Sequence, residues 1–455
     1  MKILILGAGQ VGRTAAQHLA REPANEVTVV DTDELVLREL QDHIDIRAVA
    51  GSASHPSVLE AAGIADTDIL IALTSSDEVN IVACQIAHSL YRTHKRIARI
   101  RSSDYTSRPQ LFTEGAFAID VSISPEQLVT EHILHLLSNP GALQVVDFAD
   151  GRVQLCGVRA RAEGLLVGKP LRVLRDHLPG TDARVAAIYR NERLMPTDGE
   201  AVIEEHDEIF FVAAREDLRK MLAELRRTEP PIRRLVIAGA GNIGLRLARA
   251  LENTNQVKLI DRDARRARHA SEVLRNAIVL RGDAADEELL IEENIDAADV
   301  FAALTNSEEA NVMSAMLARR LGARRTMALV NRPAYGELIE GRNIDVVISP
   351  QTITIGSLLA HVRRGDVVRV HSLRRGAAEA LEAVVHGNEE TSRVVGRRVQ
   401  DVELPPGASI ITLVRGEQVI MAHRETLIEA EDHVIVFLTD RRHVESLERL
   451  FQVEG

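Results

Sequence analysis

Two groups of three glycines carry the chemistry this sequence can do. Lys2-Ile-Leu-Ile-Leu6 runs into Gly7-Ala8-Gly9-Gln10-Val11-Gly12, and Leu235-Val-Ile-Ala238 runs into Gly239-Ala240-Gly241-Asn242-Ile243-Gly244. An apolar run that breaks into Gly-x-Gly-x-x-Gly and resumes as an amphipathic segment reads as a strand, a tight turn and a helix start. The first glycine allows the turn, the second lets backbone N–H groups approach a pyrophosphate, and the third permits close helix–strand packing. The helix N-terminus adds partial positive charge at the same place. An aspartate follows each turn at the end of the next β-branched run: Asp31 after Val27-Thr-Val-Val30, and Asp261 after Lys258-Leu-Ile260. A carboxylate there accepts hydrogen bonds from a ribose diol, which favours NAD(H) or ATP/ADP over a 2′-phosphorylated cofactor. An ordinary strand-end turn is the competing reading, and the pairing of aspartate with glycine turn in both copies weighs against it.

Other polar residues fall at strand ends. Thr74-Ser-Ser-Asp77 ends the fourth strand and starts a helix, so Leu73 and Thr74, with Leu304 and Thr305 in the second copy, are candidate nucleotide contacts. Plain helix capping by Ser75 or Ser76 is the other reading. Asn80 and Asn311, one turn into these helices, have no evident task. Arg99 and Arg101 alternate in Ile97-Ala-Arg-Ile-Arg101, and Arg99 is placed to pair with phosphate or to form an ion pair between domains. The second copy reads Ala328-Leu-Val-Asn331-Arg332, with no arginine at the position of Arg99, so the two sites are not chemically equivalent. Arg262, beside Asp261, either receives a phosphate or faces water, and Arg265, Arg266, Arg268 and His269 read as a solvated helix face.

No catalytic constellation accompanies these residues. Hydride transfer needs an acid or base near the acceptor, whereas His18, His43, His55, His88, His94 and His132 share no spacing. Glu131-His132-x-x-His135 has a ligand-like spacing but no counterpart in the second copy, and reads as a charged helix face. Cys84 and Cys156 stand in unrelated segments and are expected to be small buried hydrophobes in a reducing compartment.

The elements that must position the glycine turns alternate as βαβ units do. Strands are expected at 2–6, 26–30, 45–50, 68–73, 96–100 and 117–119, and helices at 11–21, 34–41, 56–62, 78–90 and 105–112, giving a doubly wound parallel sheet with its crevice at the strand carboxyl ends. A helix from Ser124-Pro125 to Leu137 leads into a smaller α+β unit. The pattern then restarts: Ala303-Leu-Thr-Asn-Ser-Glu-Glu-Ala-Asn311 repeats Ala72-Leu-Thr-Ser-Ser-Asp-Glu-Val-Asn80, and Ile348-Ser-Pro-Gln351 repeats Ile123-Ser-Pro-Glu126. One two-domain module is duplicated. The expected fold class is α/β, with two Rossmann-like sheets each followed by a small α+β domain, at 1–139, 140–228, 233–360 and 366–455.

Bulk composition narrows the function. At 455 residues the chain exceeds a single core, and a formal charge of −12 with no tryptophan and 3% aromatic residues argues against nucleic-acid binding. The apolar N-terminal run ends in the glycine turn and not in a cleavage site, and no apolar run reaches the length of a bilayer span. Any membrane role is expected through a partner.

The tandem order of Gly7-Ala-Gly-Gln-Val-Gly12 with Asp31, Ala72-Leu-Thr-Ser-Ser-Asp-Glu78, Ile97-Ala-Arg-Ile-Arg101 and Ile123-Ser-Pro-Glu-Gln127 closely resembles the TrkA family. So do the late stretches Ser372-Leu-Arg-Arg-Gly376 and Leu404-Pro-Pro-Gly407. These are cytosolic regulatory subunits of bacterial Trk potassium uptake systems, built from two RCK units. The resemblance implies a cytoplasmic protein, peripheral at the inner face of the membrane, that binds NAD(H) and adenine nucleotides. It further implies a homotetrameric ring under a Trk-type potassium-translocating membrane subunit, with no nucleic-acid partner. Carried onto this sequence, its nucleotide residues are Gly7 to Gly12, Asp31, Leu73, Thr74 and Arg99, then Gly239 to Gly244, Asp261, Leu304 and Thr305. The rival readings are an NAD-dependent oxidoreductase, which needs a hydride-acceptor site, and a redox-sensing regulator, which needs a DNA-reading module.

Overall fold

β-Branched and leucine-rich runs at 2–6 and 26–31 form adjacent parallel strands, with Lys2 opposite Glu26 and Leu6 opposite Val30. The computed structural model describes residues 1–22, 24–112, 116–181, 183–227, 229–332, 344–362, 366–374 and 377–452. Strands β1 (Lys2–Leu6), β2 (Glu26–Asp31), β3 (Arg47–Ala50), β4 (Ile69–Ala72), β5 (Lys95–Arg99) and β6 (Val121–Ile123) make a parallel sheet in the order β3-β2-β1-β4-β5-β6. Alternate residues fill opposite faces, because strand side chains have a period of two. Ile3, Ile5, Val27, Val29, Ile69, Ile71 and Ile97 enter one core, and Leu4, Leu6, Val30, Leu70, Ala72 and Ala98 the other. Both faces are therefore covered by helices, as a parallel sheet requires.

Two sequence expectations fail in this sheet. The sixth strand is Val121–Ile123 and not 117–119, where Phe117 instead lies edge-on to Tyr105 and Phe112, with ring centroids 6.2 Å apart in each pair. The helix expected over 105–112 is two short pieces, Ser103–Thr106 and a 3-10 turn Pro109–Phe112. Pro109 has no N–H to donate and disfavours helical backbone at Arg108.

The second module repeats the parallel sheet with β12 (Arg234–Ala238), β13 (Gln256–Asp261), β14 (Ile278–Arg281), β15 (Val300–Ala303), β16 (Thr326–Leu329) and β17 (Val346–Ile348), in the order β14-β13-β12-β15-β16-β17. Each module also has a five-stranded antiparallel sheet. The first holds β7 (Ala142–Phe148), β8 (Val153–Arg159), β9 (Ala183–Arg190), β10 (Arg193–Met195) and β11 (Glu208–Ala214). The second holds β18 (Val367–Leu373), β19 (Ala378–Val384), β20 (Ala408–Arg415), β21 (Gln418–Met421) and β22 (His433–Leu438).

By contact the chain divides into Met1–Leu128 with Pro350–Val362, and Val129–Ser349 with Arg363–Gly455. In the first unit the helix Pro350–Val362, which follows the second parallel sheet in sequence, packs on the helix Gln10–Leu19 of the first. Ile355, Leu358, Leu359 and Val362 share one core with Ala15, Ala16 and Leu19. The span 233–360 expected as one domain thus sends its last helix to the first sheet. Arg375 and Gly376 of the Ser372 stretch lie outside the described residues.

In the second unit the two antiparallel sheets share a core, where Phe148, Leu155 and Phe210 meet Leu373, Ile435 and Phe437. His371 on β18 reaches the Asp147 carbonyl of β7 at 3.2 Å and lies edge-on to Phe148 at 5.0 Å. Burial pushes His371 down to about 4, and burial with nearby His135 does the same to His132. Both histidines are held neutral in the fold while the unfolded chain protonates them near 6.5, so the unfolded state binds more protons between these values. Stability is expected to fall as pH drops from about 6.5 towards 4. His371→Gln should flatten that slope in denaturant titrations; an unchanged slope would refute the assignment. Among the described residues no three His, Cys, Asp or Glu side chains gather as metal ligands would.

Candidate functional site

The first glycine turn is shaped by what surrounds each glycine. Gly7 has φ +99°, its N–H donates to Val30 O at 2.7 Å, and a Cβ on it would lie 3.0 Å from the Leu73 carbonyl and from Thr74 Cα. Gly12 presses its α-carbon on the turn, since a Cβ there would fall 1.9 Å from Gly7 O. Gly9 differs, because a Cβ built on it meets nothing within 4 Å. The second turn reproduces all three environments: Gly239 at φ +108° against Leu304, Gly244 where a Cβ would fall 1.9 Å from Gly239 O, and Gly241 open. The glycine that must let a ligand approach is in each copy the one with empty space before it.

The helices that start here, Gln10–Leu19 and Asn242–Leu251, have Gly9 and Gly241 at their N-caps and no side-chain cap. Their first helical bonds run from Arg13 N to Gly9 O and from Leu245 N to Gly241 O, which leaves the preceding N–H groups without helical acceptors. The helices Glu34–Gln41 and Asp77–Tyr91 are capped: Asp33 accepts from Leu35 and Val36, and Ser76 from Val79. A helix N-terminus of this kind can be capped by an anion in place of a side chain. The Val11 side chain packs on the core, which leaves only its backbone to meet a ligand.

The aspartates hold the turns. Asp31 accepts from Ala8 N at 2.5 Å with one oxygen and from Asp33 N at 2.9 Å with the other. Asp261 does the same with Ala240 N at 2.7 Å and Asp263 N at 2.8 Å. A carboxylate has about four acceptor positions, so each aspartate retains capacity for a ribose diol after fixing its loop. Asp261 is buried at 7% exposure and Asp31 is half-buried. Arg262 is exposed, as are Arg265, Arg266, Arg268 and His269. Two of their N–H groups, those of Arg265 and Arg266, donate to Asp263 and hold its carboxyl below the usual range.

Across the crevice, Leu73 N donates to Leu6 O at 2.7 Å, which places the loop beside Gly7. The Thr74 N–H and hydroxyl both turn to Asn80 Oδ1, at 3.0 and 2.7 Å, so Thr74 offers a ligand what Asn80 leaves over. Asn80 is fully buried and its amide donates to Arg99 O at 2.9 Å. Asn311 ties Thr305 N, at 2.8 Å, to Leu329 O, at 3.0 Å, in the same way. These asparagines clamp the fourth strand's loop to the fifth strand, a role the sequence signalled only by their recurrence. Removing one strands a buried N–H and a buried carbonyl at about 1–3 kcal/mol each. Asn80→Ala and Asn311→Ala are each expected to cost about 2–4 kcal/mol in urea unfolding, and a loss within error of zero would contradict the clamp.

Arg99 is 19% exposed and only 4.0 Å from Glu126 Oε1, and its buried Nε has no hydrogen-bond partner among the described residues. Burial lowers its pKa and Glu126 opposes that. Arg101 serves the loop instead, donating to Ser75 O and lying 3.9 Å from Asp77. Leu329 stands where the second copy would need its counterpart of Arg99, opposite Ile348 as Arg99 is opposite Ile123, and it is buried. Gln10, in the first turn, accepts from Gln351 at 3.1 Å, so the helix Pro350–Val362 reaches the first cradle. Cys84 and Cys156 are buried free thiols, and burial pushes Cys84 up to about 12.

The TrkA-N domain family matches residues 3–125 and 235–350, and the TrkA-C domain family residues 157–226 and 389–452. The Trk system potassium uptake protein TrkA of Halomonas elongata is 54% identical over 453 residues, spanning 100% of this chain and 99% of that protein. Its namesake in Vibrio alginolyticus is also 54% identical over 453 residues, at 99% of each. Among solved structures, the GsuK RCK domain superposes with a TM-score of 0.62 at 20% identity, over 99% of this chain and 94% of that one. The GsuK channel bound to NAD superposes at 0.61 and 19% identity, over 98% and 79%. At these identities the two structures share the fold.

Proposed function

The chain belongs to the TrkA family, and from that membership we propose that it is a nucleotide-binding cytosolic regulatory subunit that gates a Trk-type potassium-translocating membrane protein. The observation that carries the nucleotide part is the pair of uncapped cradles, each with open space at its middle glycine and an aspartate fixed on the next strand. NAD(H) and ATP/ADP are the ligands such a pair fits, and the fold is shared with a channel structure bound to NAD. The first site adds the under-satisfied Arg99, while the second has Leu329 there and the more buried Asp261. The two sites therefore bind with different affinities.

A ligand moves a conformational equilibrium only through unequal affinity for its states. Gln10 gives the first cradle a direct hold on Gln351, at the head of the helix that leads into the second antiparallel sheet. Occupancy of one module is thereby felt by a segment of the other. Among the described residues no helix is long and apolar enough to cross a membrane, so in this reading the pore belongs to the partner. The chain works as a homotetrameric ring at the inner face of the membrane, and binding is its output, with no reaction following.

The test is potassium flux into vesicles carrying a Trk-type membrane subunit, with the full chain added and NADH, NAD, ATP or ADP present or absent. Nucleotide-dependent flux is expected. Flux indifferent to every nucleotide overturns the gating reading, and steady NADH oxidation with small carbonyl substrates overturns the non-enzymatic one.

A further inference from the structure

Where the first module ends and the second begins, the second unit holds a cavity of about 380 Å³. Its floor is apolar, from Leu134 and Leu137 of the helix Pro125–Ser138, Leu222 of the helix Leu218–Leu225, Pro231 and Ile232 of the connecting segment, and Leu251. Its charged lining is mostly cationic, with Arg219, Arg226 and Arg227 against the single acid Glu229, beside the neutral Ser138, Asn139, Thr254 and Asn255. Glu229 is paired with Arg226, which also donates to Gly141 O at 2.9 Å. Arg219 and Arg227 are exposed, and Arg219 makes one long contact, to Ser138 O at 3.3 Å. An apolar floor under arginines in excess of acid is a site with a sign.

The duplication supplies an internal comparison. The two closing helices, Leu218–Leu225 and Val444–Leu450, match with the buried Leu218, Met221, Leu222 and Leu225 on Val444, Leu447, Glu448 and Phe451, 226 residues on. In that register the second module carries Glu445 and Gln452 in place of Arg219 and Arg226, so these two arginines of the cavity have no basic counterpart in the second copy.

We infer that this cavity binds a small amphiphilic anion, an apolar body bearing one carboxylate, phosphate or sulfonate group. At about 380 Å³ the volume lies in the range of ligand pockets. The anionic group meets Arg219 and Arg227, and the apolar body covers Leu134, Leu222 and Leu251. Leu251 ends the helix that begins at the second glycine turn, and ten residues of helix span about 15 Å. A ligand here is therefore linked to the second cradle through one rigid element, and the linkage is reciprocal.

The probe is 8-anilino-1-naphthalenesulfonate, titrated by fluorescence into the full chain with ADP in excess, then displaced with octanoate or octylamine. Octanoate should displace the dye and octylamine should not. The double variant Arg219→Glu/Arg227→Glu should weaken the dye by about tenfold, and Ala223→Phe, which fills the cavity, should do likewise. Dye affinity unchanged in the arginine variant overturns the inference whatever Ala223→Phe does, and so does displacement by octylamine equal to that by octanoate. The site stands apart from the nucleotide reading: failure of ADP to bind counts against that reading alone, because only the arginine-sensitive part of the dye signal reports this cavity.

Discussion

Asp31→Ala should remove one of two nucleotide-binding phases in calorimetric titration of the intact chain with NADH, and Asp261→Ala should remove the other. Hydrogen bonds to a charged group are worth about 1.5–3 kcal/mol each, and a ribose diol makes two, so the affected site should weaken by about a hundredfold or more. The aspartates also hold the turns through Ala8 N and Ala240 N, which separates the variants on a second axis. Asp261 is the more buried, so its loss leaves less water to replace the carboxylate at the N–H it strands, and Asp261→Ala should lower the melting temperature further than Asp31→Ala. Asn in place of Asp keeps one acceptor and should fall between. Binding unchanged in both alanine variants would mean that neither carboxylate meets a ribose.

Much of this site could be read in the sequence because its logic is local. Glycine spacing, an aspartate at the next strand end and a second copy of both are properties of short segments, and the alternation of Ile3 and Ile5 against Leu4 and Leu6 states which faces are buried. Where the outcome depended on long-range partners, local pattern was silent. The helix Pro350–Val362 is apolar enough to be buried, but nothing in a helical period says that its partners are Ala15, Ala16 and Leu19, more than 300 residues away. Asn80 looked like any polar residue in a first helical turn, and only the packing reveals that its amide closes the gap between Thr74 and Arg99. The sixth strand was placed four residues early because Phe117 has strand propensity that its aromatic neighbours Tyr105 and Phe112 claim instead.

The glycines allow structure and function to be pulled apart within one turn. Gly12→Ala would drive a Cβ to 1.9 Å from Gly7 O, and that oxygen cannot move aside freely, because Gly7 is held at φ +99° with its N–H on Val30 O. A destabilisation of about 3 kcal/mol is expected, with the same for Gly244→Ala, where the approach is also 1.9 Å. Gly9→Ala has the opposite sign. Gly9 sits at φ −66° with nothing within 4 Å of the new methyl, so alanine should leave the fold intact or stabilise it by about 0.4–1 kcal/mol through a less flexible unfolded chain. The same methyl would occupy the space kept for the pyrophosphate, so nucleotide affinity at the first site should drop by at least about tenfold, one part in the arithmetic of 1.4 kcal/mol. A chain that melts no lower and binds far worse can be explained only by a ligand at Gly9. If Gly9→Ala binds NADH like the parent chain, the pyrophosphate does not lie against this turn, and the uncapped helix Gln10–Leu19 must be satisfied by water alone.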